Sequence, residues 1–152
     1  MRKFENYCEV VFDARSENES FARIVVAGFV VHLDPRLEEL NELKTAVSEA
    51  VTNAIIHAYD NKGGTIKMTI GISKGEGWPE VTVTITDYGK GIPDVQKARE
   101  IFYTTRSDEE RSGMGFTLME AFSDELYVHS EPKKGTTVTI IKRFPIGKID
   151  DE

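Results

Sequence analysis

Apolar residues recur at spacings of three and four between positions 37 and 58, a pattern that predicts one long amphipathic helix. Its expected buried stripe is formed by Leu37, Leu40, Leu43, Val47, Ala50, Ala54 and Ala58. Asp34 precedes the helix as its expected N-cap, with Pro35 in the first turn. The turn-forming run Asp60-Asn61-Lys62-Gly63-Gly64 is expected to end it.

The segment before this helix predicts a strand and a shorter helix. Strand-forming residues occupy positions 7–14, although their alternation is imperfect. Ser16 and Glu19 have the spacing of a capping box, in which Ser16 caps a helix and Glu19 reaches back to its first turn. The residues expected along the inner side of that helix are Phe21, Ile24, Val25, Gly28, Phe29 and either Val31 or His32.

After Gly64 the hydrophobic period changes from helical to two, which predicts strands with one face in a core. The alternating apolar residues are Ile66, Met68, Ile70 and Ile72, then Val81, Val83 and Ile85. The short loop of Gly and Pro between the two runs predicts an antiparallel hairpin. Asp94 is the expected cap of a short helix that reaches Phe102.

The last third of the chain predicts one more helix and two more strands. Gly113-Met114-Gly115-Phe116 is expected to open an amphipathic helix that continues through Leu118, Met119, Phe122 and Leu126. Two final strands are expected around the turn 131–135. The predicted fold is α+β, a two-layer sandwich with helices packed on one face of a mixed, mainly antiparallel sheet. Residues 1–143 form one predicted domain, and residues 144–152 a frayed tail.

Charge and composition exclude several classes of protein. The 152 residues carry a formal net charge of -7, so nucleic acid is not an expected partner. No apolar run approaches the roughly 20 residues that a membrane-spanning helix needs. A single cysteine, Cys8, cannot form an internal disulfide. Because the amino-terminal residues also lack a signal-peptide core, we expect a cytoplasmic protein.

Glu49, Asn53 and His57 lie one above the other on a single face of the long predicted helix. A carboxylate and an amide that interrupt an apolar segment need partners, because an unpaired buried polar group costs roughly 1–3 kcal/mol. Magnesium bound to a nucleotide fits this face: Asn53 offers an oxygen to the metal, and Glu49 is a base one turn away. A solvated polar stripe on an amphipathic helix is the ordinary alternative.

Two glycine pairs are candidate nucleotide-binding turns. In Asp87-Tyr88-Gly89-Lys90-Gly91, an acid at a strand end precedes a tight turn, where its carboxylate can accept a hydrogen bond from the exocyclic amine of adenine. In Gly113-Met114-Gly115, glycines precede the predicted helix, so that free N–H groups can face phosphates. Each string alone is a weak signal, and no Walker A pattern is present.

Taken in order, these motifs resemble one family closely. The order is an E-x-x-x-N helix, a D-x-G-x-G turn after a strand, a polar segment ending in G-x-G, and G-T-T before the last strand. It resembles the ATP-binding fold (Bergerat fold) shared by gyrase B, Hsp90, histidine kinases and MutL. The runs 48–59, 110–116 and 14–23 are similar to the anti-sigma serine kinases of the sporulation type. The resemblance covers nearly the whole chain except its last ten or so residues.

The resemblance implies a role for each motif residue. It implies ATP and Mg²⁺ as cofactors, with Asn53 as the metal ligand and Glu49 as the catalytic base. Asp87 would read adenine and Thr137 would assist it in the same polar cluster, while Gly89 and Gly91 shape the pocket. Gly113 and Gly115 would form the phosphate-side turn. Arg111 is a candidate γ-phosphate contact, for which a solvated charge is an even alternative.

The family also implies partners. These are a sporulation sigma factor, which the ATP form keeps from RNA polymerase, and an anti-anti-sigma protein, which is inactivated by phosphorylation of a serine. A homodimer is implied as well. Arg23, on the polar side of the first predicted helix, is the candidate partner-binding residue.

Two alternatives remain open at the level of sequence. One is a nucleotide-gated anti-sigma module with little catalysis, against which Glu49 argues, since adenine binding alone needs no base there. The other is the catalytic domain of a histidine kinase, although no helix with a phosphoacceptor histidine precedes the first predicted strand.

Overall fold

The structure is a computed structural model that describes residues 4–95 and 110–145, without the side chains of residues 110–115. Its elements in chain order are β1 (Asn6–Asp13), α1 (Asn18–Val30), a 3₁₀ turn (Val31–Leu33), α2 (Leu37–Asn53), a π-helical turn (Ala54–Ala58), β2 (Thr65–Ser73), β3 (Glu80–Asp87), α3 (Glu110–Ala121), β4 (Glu125–Glu131) and β5 (Gly135–Arg143). The predicted helix from Asp94 to Phe102 lies mostly outside the described residues.

Five strands form one sheet in the order β1-β2-β3-β5-β4, and all four pairings within it are antiparallel. Alternate residues of the central strands are buried, as the period of two predicted. The buried members are Ile66, Met68, Ile70, Ile72, Val81, Val83, Ile85, Val138 and Ile140. The predicted antiparallel hairpin of β2 and β3 is therefore confirmed.

The helices pack on this apolar face, which confirms the predicted α+β sandwich. α2 lies centrally and contacts both α1 and α3, as well as β3 and β5. Its buried residues are Leu43, Ala46, Val47, Ala50 and Val51. Burial of this stripe is the main source of stability for such a layer, at about 25 cal/mol per Å² of apolar surface. The opposite face of the sheet is polar and rich in threonine.

The predicted apolar side of α1 is right at Val25 and Phe29, which pack against the core, and wrong at Phe21 and Ile24. The fully buried side chains are Ala22, Val26 and Val30, whereas Phe21 and Ile24 are 43% and 69% exposed. The predicted capping box is also wrong: α1 begins at Asn18 after Glu17, with no side-chain cap. α1 packs against α2, and this contact decides which side of α1 is covered.

The start of α2 also differs from the prediction. Arg36 in an extended conformation is its N-cap, and Asp34 adopts a left-handed conformation two residues earlier. The Asp34 N–H donates to the Val31 carbonyl, which closes the 3₁₀ turn that follows α1. Leu37, predicted to be buried, is 72% exposed because it precedes the part of the helix that packs on the sheet.

Three predictions fail near the carboxyl end. Gly113 and Gly115 do not precede a helix, because α3 already includes Glu110. Leu126 belongs to β4 instead of this helix. Phe144, assigned to a frayed tail, is fully buried, and its N–H donates to the Pro79 carbonyl at 3.0 Å. The ordered domain therefore extends past residue 143.

Candidate functional site

The candidate site lies at the end of the sheet where β2 begins and β3 ends. α2 points its carboxyl-terminal end at this edge, and the π-helical turn Ala54–Ala58 continues it. π-turns are rare and occur often at functional sites. The Lys90 N–H donates to the Ala58 carbonyl at 3.2 Å, so the loop after β3 is fastened to the turn after α2. This junction brings the E-x-x-x-N helix and the D-x-G-x-G loop together.

Asp87 is buried at the end of β3, with 6% of its surface exposed. Its Oδ1 accepts the backbone N–H groups of Gly89 at 3.0 Å and Thr136 at 3.2 Å. Among the described residues, no hydrogen bond involves Oδ2. Burial raises the pKa of this carboxyl, and the two N–H donors oppose the rise. The carboxylate thus has a fixed orientation and one oxygen left for an external donor.

Glycines let three backbone segments meet at this carboxylate. Gly91 has φ +81°, and a Cβ there would collide with the Glu131 carbonyl. Gly135 has φ +122°, and a Cβ there would collide with the Asp87 carbonyl. A side chain at Gly89 would meet the Ala58 carbonyl in the same way. Larger residues at these positions would force the loop after β3 away from both β5 and the end of α2.

The threonine beside Asp87 is Thr136, and Thr137 does not join this polar cluster. Thr136 stands opposite Asp87 in the β3–β5 register, whereas Thr137 stands opposite Thr86 on the other face. The Thr137 and Thr86 hydroxyls are 3.1 Å apart. Neighbouring residues of a strand point to opposite faces, so this correction of one position moves the hydroxyl to the other side of the sheet.

Ser130 is a further part of the cluster that sequence reasoning missed. Its hydroxyl accepts the Ile92 N–H at 2.7 Å and lies 2.8 Å from the Thr136 hydroxyl. It therefore connects the loop after β3 with strand β4. Ser130 pairs with Thr136 across β4 and β5, and knowledge of this register would have identified it as part of the site. The sequence alone does not reveal that register.

Asn53 ends α2, and its amide is incompletely satisfied. Its Nδ2 is buried and has no hydrogen-bond partner among the described residues. Such a group costs roughly 1–3 kcal/mol, which a ligand would relieve. A half-turn of the amide presents Oδ1 instead, the hard oxygen donor that Mg²⁺ prefers. Asn53 therefore fits the role of a metal ligand.

The rest of the described chain adds no conventional metal centre. Within residues 4–95 and 116–145, no group of three or more His, Cys, Asp or Glu side chains is arranged to hold a metal ion. Mg²⁺ at nucleotide sites is commonly held by one or two protein groups together with substrate phosphates, so a single protein oxygen suits this chemistry. Glu49 is half-buried one turn before Asn53 on α2.

The phosphate-side predictions remain partly outside the described residues. Gly113 and Gly115 lie in the first turns of α3, and the side chain of Arg111 is not among those described. A turn of glycines ahead of the helix is thus not present in the predicted form. Among the described residues, no helix has the length and apolar character to cross a membrane.

Arg23 lies on α1, away from Asp87, with 40% of its side chain exposed. One of its terminal nitrogens donates to the Ser20 hydroxyl at 3.2 Å, and its Nε is 3.7 Å from a carboxylate oxygen of Glu19. The Ser48 hydroxyl of α2 donates to that same oxygen. Arg23 is therefore held next to the Glu19 carboxylate, which is itself hydrogen-bonded to α2.

Comparison with known proteins places this geometry in a family. The family model for the histidine kinase-like ATPase domain matches residues 12–142. An anti-sigma F factor from Clostridium botulinum (strain Eklund 17B / Type B) is 54% identical over 144 residues, which cover 94% of this chain and 98% of the relative. The chain belongs to the anti-sigma F factor family of histidine kinase-like ATPase domains.

Other relatives agree with this assignment. An anti-sigma F factor from Geobacillus kaustophilus (strain HTA426) is 52% identical over 144 residues, 94% of this chain and 96% of the relative. Among solved structures, the RsbU and RsbW domains of Rv1364c from Mycobacterium tuberculosis match with a TM-score of 0.65 and 20% identity, over 91% of this chain and 32% of that chain. At that identity the solved structure confirms the fold alone.

Proposed function

We propose that this chain binds Mg·ATP, transfers the γ-phosphoryl group to a serine of an anti-anti-sigma protein, and sequesters a sporulation sigma factor in the cytoplasm while ATP is bound. The single observation that carries the nucleotide half of the proposal is Asp87. It is a buried carboxylate with one oxygen held by two backbone N–H groups and the other left for a ligand.

Asp87 suits adenine because the exocyclic amine of that base is a donor. A fixed, desolvated acceptor favours a donor over the carbonyl that guanine presents at the same ring position. Gly89 and Gly91 leave the approach to the carboxylate free of side chains, so that a flat base can reach it. Thr136 and Ser130 hold the frame around it.

Asn53 would supply the protein oxygen for Mg²⁺. The bound ion would neutralise phosphate charge during transfer. The same helix places Glu49 one turn earlier, on the same side as Asn53. The two residues are therefore positioned by one rigid element, which keeps the distance between metal ligand and base constant.

The transfer itself needs a base and an acceptor. The oxygen of the partner's serine forms a bond to the γ-phosphorus, and the bond from that phosphorus to the bridging oxygen of ADP breaks. Glu49 accepts the proton that the serine hydroxyl gives up, and ADP and the phosphoserine protein are released. Arg111, with Gly113 and Gly115 at the start of α3, would contact the phosphates.

The partner-facing surface that we propose consists of Arg23 and Ile24 on α1. Ile24 is 69% exposed, and 40% of the Arg23 side chain is exposed. Arginine is enriched among interface hot spots, and an exposed aliphatic neighbour supplies apolar area beside it. A role in partner binding would explain why an apolar residue that the sequence analysis expected on the buried side of α1 is exposed.

We also propose a homodimer. The uncovered sheet face carries Tyr7, Val11 and Tyr127, which are 38%, 62% and 55% exposed. Phe4 stacks on Tyr7 with ring centroids 5.8 Å apart. Aromatic side chains of this kind are enriched in the cores of protein interfaces. Light scattering of the purified chain tests this part: a mass twice that of the single chain supports a dimer, and the single-chain mass contradicts it.

Radiolabelled ATP and two purified partners test the whole proposal. Label should appear on the anti-anti-sigma protein and disappear when its acceptor serine is replaced by alanine. Sigma capture should require ATP and fail with ADP. Capture without transfer would favour the binding module with little catalysis. Acid-labile label on a histidine domain would favour a histidine kinase fragment instead.

A further inference from the structure

Tyr59 connects three segments at the candidate site through one hydroxyl group. It follows the π-helical turn directly. Its hydroxyl accepts the Tyr88 N–H at 2.6 Å and donates to the Thr65 carbonyl at 2.7 Å. The end of α2, the start of β2 and the loop after β3 therefore meet at a single oxygen atom.

The aromatic ring of Tyr59 packs in a fixed position. It lies against Gly64, where an added Cβ would come within 2.5 Å of the ring carbons. Gly64 also accepts the Ala14 N–H at 2.8 Å, so this glycine is itself held to the end of β1. Since the ring cannot move toward Gly64, the hydroxyl has a defined position. Burial raises the pKa of Tyr59, which keeps the hydroxyl protonated and able to donate at neutral pH.

The three backbone N–H groups that follow Asp87 each have a different acceptor. That of Tyr88 donates to Tyr59, that of Gly89 to the Asp87 carboxylate, and that of Lys90 to the Ala58 carbonyl. The first of these N–H groups, that of Tyr88, belongs to the peptide that directly follows Asp87, and its acceptor is the side-chain hydroxyl of Tyr59. Without the hydroxyl, the peptide between Asp87 and Tyr88 loses one of the contacts that hold it, so the Asp87 side chain, still bonded to the N–H groups of Gly89 and Thr136, should be less precisely oriented.

We propose that Tyr59 is a positioning residue for base selection: its hydroxyl sets the orientation of Asp87 so that the free oxygen of that carboxylate faces the adenine amine. The inference rests on the proposed nucleotide site and adds a residue to which the sequence analysis assigned no role. Tyr59 acts through Asp87 and does not itself contact the reacting atoms.

Tyr59→Phe removes the hydroxyl and leaves the ring on Gly64. Loss of the two hydrogen bonds should raise the dissociation constant for ATP by roughly 5- to 10-fold. The ratio of ATP to GTP affinity should fall, because a loosened carboxylate discriminates less. The turnover rate at saturating ATP should stay unchanged, since Glu49 and Asn53 lie on α2 before the altered contact.

Tyr127→Phe is the matched control. It deletes the same atom from a tyrosine whose hydroxyl donates to Glu125 at 2.5 Å on the uncovered sheet face. Calorimetric titration of ATP and of GTP into both variants, with circular dichroism to verify folding, gives the comparison. Gly64→Ala is a second variant that displaces the ring while the hydroxyl remains, and it should also reduce the ATP preference.

The outcomes separate this inference from the proposed function. Reduced ATP preference in Tyr59→Phe, with Tyr127→Phe unchanged, supports it, and folded Gly64→Ala should show the same reduction. Wild-type ATP affinity and selectivity in Tyr59→Phe overturns it, as does an equal loss of ATP and GTP binding. If the wild-type protein itself binds neither nucleotide, the proposed function fails before Tyr59 is considered.

Discussion

Glu19 on α1 accepts a hydrogen bond from Ser48 on α2, immediately before Glu49, and the same carboxylate oxygen lies 3.7 Å from Arg23. The prediction of a capping box assigned Glu19 to the start of its own helix, but its side chain turns to the neighbouring helix instead. The exposed arginine of the partner-facing surface and the helix that carries the candidate base are thus joined through one carboxylate.

Arg23→Ala should leave folding and ATP binding intact and weaken capture of sigma factor and anti-anti-sigma protein. Glu19 keeps its bond to Ser48 in this variant, and an exposed ion pair contributes only about 0–1 kcal/mol to stability. An interface arginine contributes more, so we expect partner affinity to fall by at least 10-fold. Arg15→Ala is the control, since Arg15 pairs with Glu17 near the start of the same helix and is 63% exposed. Equal partner affinity in the two variants would remove Arg23 from the interface.

Asn53→Ala should abolish Mg²⁺-dependent ATP binding and stabilise the nucleotide-free protein. The replacement removes the buried Nδ2 that has no partner among the described residues, and alanine is the better helix former. We expect the free energy of unfolding without nucleotide to rise by about 1 kcal/mol. Urea unfolding and calorimetry on the same preparation measure both effects. A variant that is both less stable and still able to bind Mg·ATP would contradict the assignment.

The pH dependence of ATP binding should follow Asp87. Burial raises the pKa of this carboxyl, so on acidification it takes up a proton at a higher pH than an ordinary aspartic acid does. Protonation turns the hydrogen-bond acceptor of Asp87 into a donor, so ATP affinity should fall as the pH is lowered through the raised pKa. In the absence of nucleotide the sign for stability is opposite: the folded state binds this proton more tightly, so the free energy of unfolding decreases as pH rises from the ordinary value of an aspartic acid through the raised one.

Asp87→Asn provides the comparison for both pH effects. Its amide oxygen can still accept the N–H groups of Gly89 and Thr136, so the fold should be kept, while the titrating group is gone. The variant should bind ATP weakly and show neither the fall in affinity nor the change in stability across this interval. The same pH profile in wild type and variant would assign the titration to another group.

The sheet could be predicted from the sequence because its pattern is strict. Ile66, Ile70 and Val83 alternate with polar residues over whole strands, and such a period has one structural interpretation. The buried face of α1 could not be predicted, because Phe21 and Ile24 are as apolar as the residues that are buried. Only the partner helix decides which side is covered, and that contact is not a local property of the chain.

The candidate site shows the same limit. Asp87, Gly89 and Gly91 belong to one short motif, and the structure places them together. Thr136 enters the cluster through the register between β3 and β5. A shift of one residue in that register would bring Thr137 to Asp87 and turn Thr136 to the other face of the sheet. Tyr59 enters through a π-turn that widens the end of α2, a feature that a regular helical period does not predict.

Glu49→Gln tests the central claim most directly, that this family member is a kinase as well as a binding protein. The amide keeps the size of the side chain and the helix but cannot accept the serine proton. General base catalysis contributes about 10²–10⁴-fold, so phosphate transfer should fall by that factor while ATP affinity and ATP-dependent capture of sigma factor are retained. All three quantities should be measured on wild type and variant side by side. Transfer at the wild-type rate would contradict the assignment of Glu49 as base, and loss of all three together would show that its role is structural.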